Sequence, residues 1–146
     1  MSNEIFRQLI DGLHSALEIE DSPSKYEVCN LVCSGAFFSL RHGKEADPDG
    51  LFIICDFGEV PEENRALIYQ RLLETNLFLF GNNAPNFGFN PDTGRVNMMI
   101  RVPLSSLSLE DLTKVLANTA AYVQVWRRSY FLTPREIHKI TEDLSS

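Results

Sequence analysis

The side chains with chemistry to offer in this chain are three cysteines, three histidines and twenty carboxylates. Cys29 and Cys33 stand four apart, not at the two-residue gap of a zinc knuckle, and no Cys or His pair lies close enough to complete four ligands. His14, His42 and His138 are each bracketed by solvent-type residues with no orienting partner, so they read as exposed histidines and not as general bases. The run Glu45-Ala46-Asp47-Pro48-Asp49-Gly50, with Asp56 at the twelfth position, has the alternating acids of a calcium loop. Pro48 between the ligands and strand-like flanks make a solvated acidic hairpin the better reading. Gly81 through Gly88 lacks the Lys and the Ser or Thr that a phosphate loop needs. No hydrolase motif occurs; carboxylates such as Glu59, Glu62 and Glu63 could meet in a cleft as a small acid–base hydrolase, an idea the sequence does not itself support. Neither a metal nor a cofactor is expected.

What the chain has in abundance is patterned apolar surface. Ile5, Phe6, Leu9, Ile10, Leu13 and Leu17 recur at helical spacing, with Glu4, Arg7, Gln8, Asp11 and His14 opposite, which predicts an amphipathic helix ending near Glu18. Pro23, in the polar loop that follows, cannot continue it. Tyr26–Val32, Ala36–Arg41 and Leu51–Phe57 are β-branched and aromatic runs, parted by Ser34-Gly35 and a polar loop His42–Gly50, and they predict an antiparallel meander. The unbroken stretches Phe37-Phe38 and Leu51–Cys55 suggest that parts of this sheet are covered on both faces, by helices or by a partner.

Pro61, Glu62 and Glu63 open a second helix, to about Leu79. Its apolar residues Ala66, Ile68, Tyr69, Leu72, Leu73, Leu77, Leu79 and Phe80 sweep about half the circumference, with Leu67 and Phe78 outside even that arc. One core needs a stripe of roughly 100°. The surplus calls for a second apolar neighbour, and Leu67, Ile68, Leu72, Phe78 and Leu79 are the candidate contacts with another copy of the chain. Phe87–Phe89 and Arg95–Val102 flank Asn90-Pro91-Asp92-Thr93-Gly94, a hairpin with Gly94 in the left-handed region. Ser108 begins a third helix whose Leu109, Leu112, Val115, Leu116, Thr119, Val123 and Trp126 make one face. Thr133-Pro134-Arg135-Glu136 opens a short last helix, Pro134 to Leu144, striped by Ile137, Ile140 and Leu144. The expected architecture is α+β: a twisted five-stranded antiparallel sheet with helices, in the order α-β-β-β-α-β-β-α plus a short C-terminal helix.

Composition agrees with a single globular domain: 44% hydrophobic and 23% charged residues. A net charge of −7 argues against phosphate backbones and anionic membranes, which need clustered Lys and Arg, so no nucleic-acid partner is expected. No run is long enough to span a membrane, and no insertion is expected. The odd cysteine count, inside apolar stretches, fits reduced thiols in a cytoplasmic protein.

The stretch Asp56-Phe57-Gly58, then Pro61, Arg65, Ala66, Leu67, Tyr69, Leu72-Leu73-Glu74, Asn76-Leu77 and Gly81, then Phe87-Gly88-Phe89-Asn90-Pro91-Asp92-Thr93-Gly94-Arg95-Val96, resembles the CesT/Tir-chaperone family. These are the class I effector chaperones of bacterial type III secretion. The likeness continues through Leu104, Leu107 and Leu112 to Trp126 and Arg127, covering about residues 1–130 most densely over 56–127. That defines a chaperone-like domain of 1–130 with 131–146 as its C-terminal helical extension. The resemblance implies a cytoplasmic bacterial homodimer, not an enzyme, that binds the N-terminal segment of a secreted effector in extended form and serves virulence by keeping it secretion-competent. Ordering such a segment costs about 1–2 kcal/mol per residue, which broad apolar contact and strand edges must offset. Ile5, Phe6, Leu9 and Leu13, with Val28, Leu31, Phe37 and Phe38 on the sheet, are the candidate effector contacts. The alternatives are a chaperone-fold adaptor or regulator without cargo, and the carboxylate hydrolase.

Overall fold

The computed structural model describes residues 2–20, 22–81 and 84–141. Helix α1, Ser2–Ala16, turns Phe6, Leu9, Ile10 and Leu13 inward, as their spacing requires. It ends when Glu18 takes a left-handed φ of 51° and the Ile19 N–H returns to the His14 carbonyl at 3.0 Å. The first strand starts later than its sequence suggests. Tyr26 and Lys25 are held by α1: the Tyr26 hydroxyl donates to Asp11 Oδ1 at 2.6 Å, and Lys25 Nζ lies 3.1 Å from the same oxygen. Residues 24–28 therefore turn, with the Val28 N–H on the Ser24 carbonyl, and β1 is Cys29–Cys33.

A two-residue turn at Ser34 and Gly35, both with positive φ, joins β1 to β2, Ala36–Gly43. The expected polar loop 42–50 is mostly strand: β3 runs Asp47–Glu59, and Gly43 pairs with Asp47 past a register shift at His42. Side chains do this work. Arg101 makes a two-pronged pair with Asp47, Nε and Nη2 each donating at 2.8 Å, and His42 Nε2 meets the Pro48 carbonyl at 2.7 Å. Near its far end β3 bulges between Asp56 and Gly58, whose φ of 124° suits glycine alone, and Arg127 Nε donates to the freed Phe57 carbonyl at 2.8 Å.

Pro61 and a 3-10 turn over Glu62–Asn64 precede α2, Arg65–Phe78, so the regular helix starts one turn later than Pro61. Strands β4, Asn86–Asn90, and β5, Arg95–Pro103, form the expected hairpin: Gly94 has φ 71° and donates to the Asn90 carbonyl at 2.8 Å. After a 3-10 turn at Leu104–Ser106 comes α3, Leu109–Ser129, capped by the Ser108 hydroxyl on the Asp111 N–H and closed by a left-handed Tyr130. A capping box between Thr133 and Glu136 opens α4, Pro134–His138. Leu144, expected in this helix, lies outside the described residues.

The sheet order is β1-β2-β3-β5-β4, antiparallel throughout. On its inner face Leu31, Phe38, Cys55, Met98 and Phe87 form one continuous row across all five strands, buried beneath α1 and α3. Phe57 anchors the row's end, edge-on to both Phe87 and Trp126. Leu132, Ile137 and Ile140, beyond α3, join the same core.

Candidate functional site

Among the described residues no helix covers the outer face of the sheet. Pairing brings Val32 beside Phe37; Ser39, Ile54, Met99 and Asn86 into one row; and Arg41, Phe52 and Arg101 into the next. Val32 is 63% exposed and Phe37 47%, with Phe52 and Met99 also open to solvent. Of the two covers expected for parts of this face, helices or a partner, no described helix supplies the first: strand alternation sends Phe38 inward and leaves Phe37 outward. Strand β1 borders this face at the sheet edge, and an edge strand offers N–H and C=O groups to an incoming extended chain.

The effector contacts expected from the sequence divide accordingly. Phe6, Leu9, Leu13, Leu31 and Phe38 lie in the core and meet one another there, so a guest could reach them only by displacing α1. Ile5 and Val28 are half-buried, and Phe37 is open. Val32, Phe52 and Met99 join Phe37 on the outer face. The sequence does carry a signal for them, since the Ser34-Gly35 turn sets Val32 opposite Phe37 and fixes which residues share a side.

A second uncovered surface belongs to α2. Of its residues only Ile68 and Thr75 are fully buried; Leu72 and Leu79 are half-buried against the core, and Leu67 and Phe78 point out. Leu73 and Leu77, at i and i+4, point out from the helix, exposed by 69% and 72%, and Phe80, two residues past its end, is exposed by 88%. The helix is fastened to the sheet edge by Asn76, whose Nδ2 donates to the Phe87 carbonyl at 3.0 Å while its Oδ1 accepts from the Phe87 N–H at 2.7 Å. Between α2 and β4 a cavity of about 220 Å³ opens, walled by Tyr69, Leu72, Leu73, Phe87, Phe89 and Val96 among others.

The polar residues are committed to structure. Asp47 is taken by Arg101, which holds its carboxyl below the usual range; Asp49 accepts from the Ser105 N–H and hydroxyl; Asp56 accepts from Arg95 Nε. Three of the four acids of the calcium-like run, Asp47, Asp49 and Asp56, thus each have a protein donor, and among the described residues no three of His, Cys, Asp and Glu gather as metal ligands. Glu59 lies 3.9 Å from Arg95, and Glu62 and Glu63 are exposed on the turn before α2. Burial raises the Cys29 thiol and pushes Cys55 up to about 12, leaving both protonated and unreactive. The histidines depart from their sequence reading: His42 stacks on Phe6 at 5.4 Å, and half-buried His14 sits with Nε2 3.7 Å from Cys29 Sγ. Only His138 is fully exposed. No described helix is long and apolar enough to cross a membrane.

Comparison with known proteins follows the same geometry. Residues 8–127 match the family described as Tir chaperone protein (CesT) family. No curated protein matches the chain. Among solved structures, a chain of the HopA1-SchA chaperone-effector complex is similar with TM-score 0.66 and 19% identity, covering 88% of this chain and 98% of that one. A chain of the ExsC-ExsE complex gives 0.65 at 18% identity, covering 89% and 96%. A chain of the ExoT-SpcS complex from Pseudomonas aeruginosa gives 0.52 at 22% identity, covering 81% and 95%. The five-stranded α+β fold is thus shared with these chains.

Proposed function

Because the chain belongs to the Tir chaperone protein (CesT) family, we propose that it is a type III secretion chaperone that binds the N-terminal segment of a secreted effector in extended form. One observation carries this reading: a sheet face left bare in so small a domain, with Val32, Phe37, Phe52 and Met99 open beside the β1 edge. Contiguous apolar surface of that kind marks a site for another chain. An extended guest gains main-chain hydrogen bonds along the edge and seats alternate side chains on the face. Of the contacts named from the sequence, Ile5, Val28 and Phe37 keep this role, and the buried ones support the surface from within. The α2 stripe serves instead to pair two copies, so the working unit is a homodimer. The protein acts in the bacterial cytoplasm, as a binder and not a catalyst.

Co-expression with the protein encoded by the neighbouring reading frame, followed by pull-down and limited proteolysis, tests the reading. Co-purification and protection of that protein's N-terminal segment are expected, and Val32→Asp with Phe37→Asp should abolish both while circular dichroism stays unchanged. Capture that survives the double variant removes the sheet face from the proposal. Absence of any capture favours a regulator that carries no cargo.

A further inference from the structure

We infer that residues 26–28 are a stowed extension of strand β1, held back against α1 by a latch at Tyr26, and that their release onto the open end of β2 lengthens the sheet edge offered to a guest. The link to a guest rests on the chaperone reading above; the two arrangements of the segment do not. Strand β1 stops short of its neighbour. Its pairing covers Ala36–Leu40, yet β2 continues through Arg41, His42 and Gly43, which pair with β3 but not with β1. Beside that overhang lies an open bay of about 490 Å³, bounded by Asn3 and Arg7 of α1, Tyr26 and Glu27 of the turn, and His42 and Lys44. The run Tyr26–Val32 has the β-branched and aromatic composition of a strand, so residues 26–28 turn against their own preference. Such conflicts between local pattern and fold concentrate at functional sites.

The latch is built from α1 and the turn itself. The Tyr26 hydroxyl donates to Asp11 Oδ1 at 2.6 Å, Lys25 Nζ lies 3.1 Å from the same oxygen, and the Arg7 guanidinium lies 4.7 Å from the centre of the Tyr26 ring. The Glu27 and Val28 N–H groups both donate to the Ser24 carbonyl, at 2.9 and 3.1 Å, which commits them to the turn instead of a ladder. Asp11, the acceptor of both polar side-chain contacts, is 54% exposed, and contacts at such sites are individually weak. Continuing the β1–β2 register from Cys29 opposite Leu40 sets Val28 opposite Arg41, Glu27 opposite His42 and Tyr26 opposite Gly43. Alternation then turns Val28 to the outer face, where it extends the row of Arg41, Phe52 and Arg101, and brings Glu27 to the side that carries His42 and Arg7. The edge strand grows from Cys29–Cys33 to the span 26–33. A guest lying along that edge gains more from the long form than from the short one, and that difference drives release.

Backbone chemical shifts and amide exchange of the full chain, recorded for the parent and for a variant joining Asp11→Asn to Tyr26→Phe, test this. The parent should show turn shifts at 26–28. In the variant those residues should take strand shifts, and an amide within Arg41–Gly43 should exchange about tenfold more slowly, while exchange along β4 and β5 stays as in the parent. Tyr26→Phe alone, which keeps the ring and loses only the hydroxyl, should move the same resonances the same way but less far. Random-coil shifts at 26–28 in both variants, or turn shifts retained in both, overturn the latch and leave the chaperone reading standing. With the N-terminal segment of the protein encoded by the neighbouring reading frame as probe, the parent's residues 26–28 should pass to strand shifts on binding. The double variant should bind that segment about fivefold more tightly, being spared the release step. Binding that leaves 26–28 in the turn, or that is no tighter in the variant, overturns the link to the guest. If the parent captures nothing, the chaperone reading fails, and the shifts of the free variants still judge the latch on their own.

Discussion

Helices α2 and α3 are both rich in apolar residues, yet they spend them in opposite ways. Helix α3 lays Leu112, Val115, Leu116, Thr119, Ala120, Val123 and Trp126 along one buried face and finishes both ends with caps, Ser108 at one and left-handed Tyr130 at the other. Helix α2 buries Ile68 and Thr75, has no side-chain cap at its start, and leaves Leu73 and Leu77 in water. One helix is stabilised by what it covers. The other buries only Ile68 and Thr75 fully, is pinned to β4 by the amide of Asn76, and leaves Leu73 and Leu77 exposed. An apolar inventory alone does not distinguish the two; the angular spread of the inventory does.

Substitutions in the two helices should separate these roles. Trp126→Ala empties the space edge-on to Phe57 and Tyr130 and should cost about 3–5 kcal/mol in urea unfolding, the range for a buried aromatic. Asn76→Ala removes both bonds to Phe87 and should cost about 2 kcal/mol, with faster amide exchange along β4 as the local readout. Loss of stability with no change in β4 exchange would show that the clamp does not fasten the helix to the sheet. Ser108→Ala deletes the cap on the Asp111 N–H and should cost about 1 kcal/mol, with Ser108→Asp restoring most of it. Leu77→Ser should shift the unfolding of dilute, dissociated chain by less than about 0.5 kcal/mol. A cost like that of Trp126→Ala would erase the contrast by making α2 a core helix.

Much of this was legible in the residues. The face of α3, the Gly94 hairpin and the three-strand meander follow from period and turn chemistry, because each has a polar partner or a glycine that fixes its phase. The sheet's sidedness was harder. Phe37-Phe38 and Leu51–Cys55 are apolar at every position, and a run without alternation carries no phase, so Phe38 and Leu31 look as available to a guest as Phe37 and Val32. The α1 stripe is ambiguous for a related reason: Phe6, Leu9 and Leu13 read alike whether they cover their own core or another chain. Strand ends set by side chains from afar were beyond local reading. Nothing near Asp47 announces that Arg101 will extend β3, and nothing near Tyr26 announces that Asp11 will delay β1.

The bare outer sheet also bears on how these molecules behave in a crowd. Each carries a formal net charge of −7 near neutral pH, and that mutual repulsion opposes association through the hydrocarbon they display. Acidifying toward pH 4.9 removes the repulsion and leaves the sticky face unguarded. Turbidity should therefore rise sharply around that pH, and far less for the Val32→Asp, Phe37→Asp variant.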